Sequence, residues 1–158
     1  VSGFRRGVRL GVDVGRARVG VARCDPDGML AVPVETVQRN ESSIDRIATI
    51  ALDFDVLEFV VGLPVNMQGA DTPSTTDARE FAAALQVRTG TPVRLVDERL
   101  STVTAHAALR SSGRSQKNSR SIVDQIAAVV LLQQAIDTEK STGNPPGATV
   151  PLDEESPR

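Results

Sequence analysis

The chain has 158 residues, a formal net charge of −2, one Cys, no Trp, no Tyr and four Phe. A length of this order fits one domain that buries roughly 68–70% of its unfolded-chain surface, which excludes a stapled mini-protein. The lone Cys24 cannot close an internal disulfide or build a Cys metal cage, no apolar run reaches the roughly 18 residues of a membrane span, and the scarce aromatics leave little for stacking nucleic-acid bases.

Residues 8–14 alternate, with Val8, Leu10, Val12 and Val14 on one face and Arg9, Gly11 and Asp13 on the other, the period of a strand. Gly15, Arg16, Ala17 and Arg18 make a turn into a second strand from Val19, and residues 29–37 can form a third after the turn signal Asp25, Pro26, Asp27, Gly28. Three strands on short links imply an antiparallel meander. Ser42 or Ser43 can N-cap a helix whose apolar positions Ile44, Ile47, Ala51 and Phe54 recur at helical spacing. Residues 57–63 are apolar almost throughout, which suits an inner strand covered on both faces, and Pro64 stops them. After the loop 65–74 a helix carries Ala78, Phe81, Ala82 and Leu85, and residues 92–96 give a fifth strand. Ser101 or Thr102 can cap a helix to about Arg110, and residues 122–136 form a strongly apolar last helix. The order βββαβαβαα demands parallel pairing with right-handed crossovers in its second half, so the sheet is mixed, with helices on both faces of an α/β fold.

Residues 138–158 are rich in Pro, Gly and polar side chains and are expected to form a disordered tail behind a domain at 1–137. Glu139, Asp153, Glu154 and Glu155, set against Lys140 and Arg158, account for the whole net charge and leave the folded body neutral. Within that body, residues 99–123 hold Arg99, Arg110, Arg114, Lys117 and Arg120 and no acid. The polar segment 111–120 reads as a basic flap suited to phosphates. The N-terminal residues lead into a strand pattern without a signal-peptide core, so a cytoplasmic location is expected.

Three acidic positions resist a purely structural account. Asp13 lies within a strand, where Gly11, Gly15 and Gly20 remove bulk and let a ligand approach. Asp97 and Glu98 close the fifth strand on opposite faces, so only one of them can share a site with Asp13. Asp124 opens the last helix, in a column with Ala127, Ala128 and Leu131 that faces the core. Carboxylates on two strand ends and a helix start can converge on one edge of the sheet, and hard oxygen ligands of this kind suit Mg2+ or Mn2+. Such ions can activate water for phosphodiester hydrolysis.

GVDVGRARVGVA (11–22), VVGLPVNMQG (60–69), VDERLST (96–102) and VDQIAAVVLLQ (123–133) resemble, in order and at suitable separations, the signature segments of the YqgF/RuvX family of pre-16S rRNA nucleases, relatives of the Holliday junction resolvase RuvC. The similarity runs over residues 9–136, and four segments in order are specific where one alone would be weak. It implies an RNase H-like fold with a five-stranded mixed sheet in the order 3-2-1-4-5, and a metal-dependent endonuclease using Mg2+ or Mn2+. It further implies Asp13 as the first-strand metal ligand, Glu98 as the second and Asp124 as the helix carboxylate, all three catalytic, with Asp97 orienting the turn. One departure stands out: the fourth strand ends in Gly62, Leu63 and Pro64, without the acid that many RNase H-like nucleases carry there.

Arg16 and Arg18 can pair with phosphate oxygens, and Asn66, in the loop after the fourth strand, can hydrogen-bond a phosphate or sugar. Arg99 sits beside the acidic pair, and Arg110, Arg114, Lys117 and Arg120 would close over the substrate. The partner expected is structured RNA, with the 5′ end of pre-16S rRNA preferred. The alternatives are branched DNA cut by a Holliday junction resolvase and a non-catalytic nucleic-acid-binding factor. No membrane partner is expected, and the protein would act as a monomer or homodimer. Residues 13–20 also look like the phosphate-binding hairpin of actin-like ATPases, which need two such domains where this length supplies one.

Overall fold

In β1 (Arg9–Val14), Leu10 and Val12 are fully buried on one face of the sheet, while Arg9, Gly11 and Asp13 occupy the other. The computed structural model describes residues 3–98 and 116–151, with the backbone path alone for 116–121. β2 (Arg18–Cys24) runs antiparallel to β1 and sets Gly20 opposite Asp13. β3 (Ala31–Gln38) runs antiparallel to β2, with a register shift between Val21 and Ala22. On the other side of β1 lie β4 (Glu58–Leu63) and then β5 (Val93–Asp97), both parallel, as strand–helix–strand connections require.

α1 (Ser43–Phe54) and α2 (Pro73–Thr89) cover one face. Their Ile47, Ile50, Phe81 and Leu85 pack on Leu10, Val12, Val19, Val21, Phe59 and Val61. Thr72 and Thr75 form a reciprocal capping box ahead of α2, with Pro73 in the first turn, where its missing N–H costs nothing. α3 (Gln116–Thr142) covers the other face, where Ala128, Leu131, Leu132, Ala135 and Ile136 meet Ala22, Cys24, Ala31 and Val60. Cys24 is a buried apolar filler here. No described helix is long and apolar enough to cross a membrane.

Two expectations are corrected. The sheet has six strands rather than five, because β6 (Ala148–Thr149) pairs antiparallel with β5 and extends the order to β3-β2-β1-β4-β5-β6. The segment read as tail does not leave the fold at residue 137: α3 continues to Thr142, and the chain stays packed as far as Val150, whose N–H bonds to the Val93 carbonyl. The physical reason is Glu139, a charge that composition assigns to solvent. It is 2% exposed and accepts hydrogen bonds from Arg5 and Arg9. Residues 152–158 lie outside the described residues.

Glu139 belongs to a buried ionic network at the end of the sheet where β1 begins. Arg9 Nη2 lies 3.2 Å from Glu139 Oε2, Arg5 Nη2 lies 2.8 Å from Glu139 Oε1 and 3.0 Å from Glu58 Oε1, and Arg94 Nε donates to Glu58 Oε2 at 3.2 Å. Arg94 also donates to the Pro146 carbonyl at 3.3 Å. The N-terminal segment, three strands, α3 and the link to β6 are thereby fastened together, far along the strands from Asp13.

Candidate active site

Asp13, Glu98 and Asp124 come from β1, from the residue after β5 and from α3. Side-chain parity explains the first two. Along β5, Val93 and Leu95 face α1 and α2, while Arg94 and Val96 face α3. Glu98 continues the second set onto the face that carries Asp13, and Asp97 takes the opposite direction. The Asp13 and Glu98 carboxyls are hydrogen-bonded to each other. Burial, then the charge and hydrogen bond of Asp13, and then the charge of Asp97 push the Glu98 carboxyl up to about 9. Asp13 is also raised, by burial and by the Asp124 charge, although its bond to Glu98 works the other way. Ionising both carboxyls together is therefore disfavoured, and a proton shared between them relieves their repulsion.

β4 lies between β1 and β5, so Glu98 can reach Asp13 only by passing over a β4 residue. That residue is Gly62, paired with Val96, and a Cβ there would overlap Glu98 Oε2. In the sequence, position 62 stands out for the acid missing from the strand end, and a glycine inside an otherwise bulky strand marks a close approach.

The structure also reassigns two glycines expected to make room for a ligand. A Cβ on Gly20 would overlap the Asp124 carbonyl oxygen, and one on Gly11 would stand 2.8 Å from the Ala128 carbonyl oxygen. Both let α3 lie directly on the sheet, which is how Asp124 comes to rest beside Asp13. Gly15 serves the tight turn, donating its N–H to the Arg18 carbonyl at 2.9 Å.

Asp124 does not open its helix, as expected, but sits more than two turns inside α3, since the last five residues of the expected flap 111–120 have helical backbone. No Gly or Pro lies between Gly113 and Asp124, so the helix extends upstream. The positive end of a helix, which would favour an anion, is therefore not what accommodates the Asp124 charge. Its partner is Arg18, whose Nε donates to Oδ2 at 2.8 Å. Burial raises the Asp124 carboxyl against the lowering influence of Arg18.

Arg16, in the same turn, is exposed. Asn66 Oδ1 accepts from the N–H groups of Gln68 and Ala70, both at 2.9 Å, and so closes the loop after β4. Arg99, Arg110 and Arg114, the side chains of Lys117 and Arg120, and the expected helix from Ser101 or Thr102 to Arg110 lie outside the described residues.

The donor chemistry fits a hard divalent cation. The buried Glu98 carboxyl and the half-buried Asp13 carboxyl repel each other when both are ionised, a third carboxyl lies within electrostatic reach, and a cation in place of a shared proton would relieve that repulsion. As they stand, no three His, Cys, Asp or Glu side chains among the described residues are grouped closely enough to hold a cation, and Asp124 is paired with Arg18.

Comparison with known proteins bears on this constellation. The model of the RuvX family, described as "Holliday junction resolvase", matches residues 7–138. The chain belongs to this family. A relative from Leifsonia xyli subsp. xyli, named "Putative pre-16S rRNA nuclease", is 56% identical over 149 residues, covering 93% of this chain and 96% of its own. One of the same name from Clavibacter michiganensis subsp. michiganensis is 51% identical over 157 residues, covering 98% of each. Among solved structures, T. thermophilus RuvC in complex with a Holliday junction substrate matches with a TM-score of 0.55 at 15% identity, over 89% of this chain and 99% of that one. At that identity the match concerns the fold, which is the RNase H-like α/β architecture with helices on both faces of a mixed sheet.

Proposed function

We propose that this RuvX-family chain is a cytoplasmic, divalent-cation-dependent endonuclease of structured nucleic acid, with 5′-extended 16S rRNA precursor as its preferred substrate. The observation that carries the reading is the Asp13–Glu98 carboxyl pair, joined across Gly62 with Asp124 beside it. The names of the two relatives support the choice of substrate.

Asp13, Glu98 and Asp124 would hold Mg2+ or Mn2+ through carboxylate oxygens. When bound, the cation supplies positive charge for phosphate oxygens and the means of activating water. The chain's own residues prepare that site. Asp13 and Glu98 give up their shared proton, and α3 excludes solvent from one side. Arg18 and Arg16 offer guanidinium forks to the phosphates, the loop braced by Asn66 borders the site, and Arg99, Arg110, Arg114, Lys117 and Arg120 add a backbone grip. With few aromatics, recognition rests on backbone and shape rather than on stacked bases.

Gly62→Ala tests the geometry. Its methyl group displaces Glu98 from Asp13, so Mn2+ affinity measured by titration calorimetry is expected to fall about 10–100-fold, as for other changes that misplace a ligand. Wild-type affinity would show that Glu98 need not cross β4.

The family description favours one second reading, a resolvase that cuts branched DNA as a dimer. Labelled rRNA precursor and a four-way DNA junction, each incubated with the protein and Mn2+, separate the two. Faster cleavage of the precursor at its 5′ extension is expected. Preferred, symmetric cutting of the junction would replace the rRNA reading, and binding of both without cleavage would make the protein a binding factor.

A further inference from the structure

The turn that carries Arg16 and Arg18 is held from outside by a residue that no motif singles out. Arg39 follows β3, and its backbone N–H donates to the Ala17 carbonyl at 3.0 Å. Its guanidinium donates through Nη1 to the Gly15 carbonyl at 2.9 Å, so one residue grips two carbonyls of the same turn. Asp77, in the second turn of α2, fixes that guanidinium by a two-point pair: Nη1 to Oδ2 at 2.9 Å and Nη2 to Oδ1 at 2.8 Å. Phe81, one helical turn further on, lies beneath it with 4.9 Å between Cζ and the ring centroid. A planar fork that is held on one carboxylate and packed on a ring has little freedom left, so its bond to Gly15 is delivered in a fixed place.

We propose that Arg39, locked by Asp77, is a positioning residue that sets the Gly15–Arg18 turn and thereby aims Arg18 and Arg16 at the substrate phosphates. The kinetic side of this inference rests on the nuclease reading; the structural side does not. Asp13 is held separately, in the β1–β2 ladder opposite Gly20. Loss of the clamp should therefore loosen phosphate binding and leave Asp13 in place.

The test compares the full chain with Arg39→Ala, Arg39→Lys and Asp77→Asn by two measurements. Amide hydrogen exchange, without substrate, reads the Gly15 N–H that closes the turn and is expected to speed up about tenfold or more in each variant. Cleavage of labelled rRNA precursor in Mn2+ is expected to show KM raised about tenfold with kcat within about twofold, the size of one lost charge-assisted phosphate contact. A general loss of structure would lower kcat as well. Lys is expected not to rescue, because a point charge cannot reach Gly15 and both Asp77 oxygens at once. Unchanged exchange, unchanged KM or full rescue by Lys overturns the proposal. Should Arg39→Ala fail to fold, Asp77→Asn, which keeps the side-chain shape, decides by the same two readings. Should the wild type leave the precursor uncut, the nuclease reading fails, and the exchange rates still decide whether Arg39 holds the turn.

Discussion

Replacing Glu98 by Gln is expected to stabilise the cation-free protein at neutral pH while removing its cleavage activity. Glu98 is 8% exposed, and burial together with the Asp13 carboxylate pushes its carboxyl up to about 9. An acid whose folded value lies above its unfolded one binds more protons in the native state. Stability is then full below about pH 4.5 and declines as pH rises towards 9. Gln keeps the hydrogen bond to Asp13 without the ionisation. Each kcal/mol so relieved raises Tm by about 2–4 °C in a domain of this size, and a gain on the order of 5 °C at pH 8 is expected. Mg2+ should raise the wild-type Tm at that pH and leave the variant unmoved, since a ligand stabilises only the state that binds it. The loss in cleavage is expected to reach about 10³-fold, equivalent to roughly 4 kcal/mol of transition-state stabilisation. A variant that melts no higher than wild type between pH 7 and 9 would show that the Asp13–Glu98 pair carries no electrostatic strain.

The largest loss of stability is expected at the other end of the sheet. Glu139→Ala would leave Arg9, itself 2% exposed, without its carboxylate, and removal of one partner from a buried pair costs about 3–5 kcal/mol. Burial acts to raise the Glu139 carboxyl, but the hydrogen bonds from Arg5 and the charges of Arg9 and Arg5 outweigh it and hold the group at about 2. Its stabilising contribution is therefore present above pH 4.5 and fades as pH falls from there through about 2. Urea unfolding at pH 7 reads the effect directly. Replacing both partners with apolar side chains of similar size, Arg9→Met with Glu139→Leu, should recover most of the loss, because no buried charge is then orphaned. A loss below about 1 kcal/mol for Glu139→Ala, the range of an exposed ion pair, would contradict the network.

Much of the fold was legible because period-two and helical patterns report burial locally. The alternation at residues 8–14 and the apolar run at residues 57–63 place the central strands, and the strand order lets carboxylates from two strand ends and a helix start meet at one edge, while the choice of Glu98 over Asp97 comes from the family resemblance. What stayed hidden depends on pairings distant in sequence. The glycines at 11 and 20 announce a close approach without saying whether a ligand or a helix makes it; here the backbone of α3 does. Gly62 acquires meaning only once β4 is known to separate β1 from β5. Glu139 reads as a solvated charge until Arg5 and Arg9 are seen around it. The bond from Arg18 to Asp124 spans 106 residues, and nothing in either neighbourhood announces it.

The central claim, that three carboxylates from β1, the end of β5 and α3 form one cation-dependent hydrolytic centre, is tested most directly by single-turnover cleavage of labelled 16S rRNA precursor in saturating Mn2+. Wild type is compared with Asp13→Asn, Glu98→Gln and Asp124→Asn. Cleavage by the wild type and loss of about 10³-fold in each variant is the predicted result. Equal rates in all four proteins would contradict it.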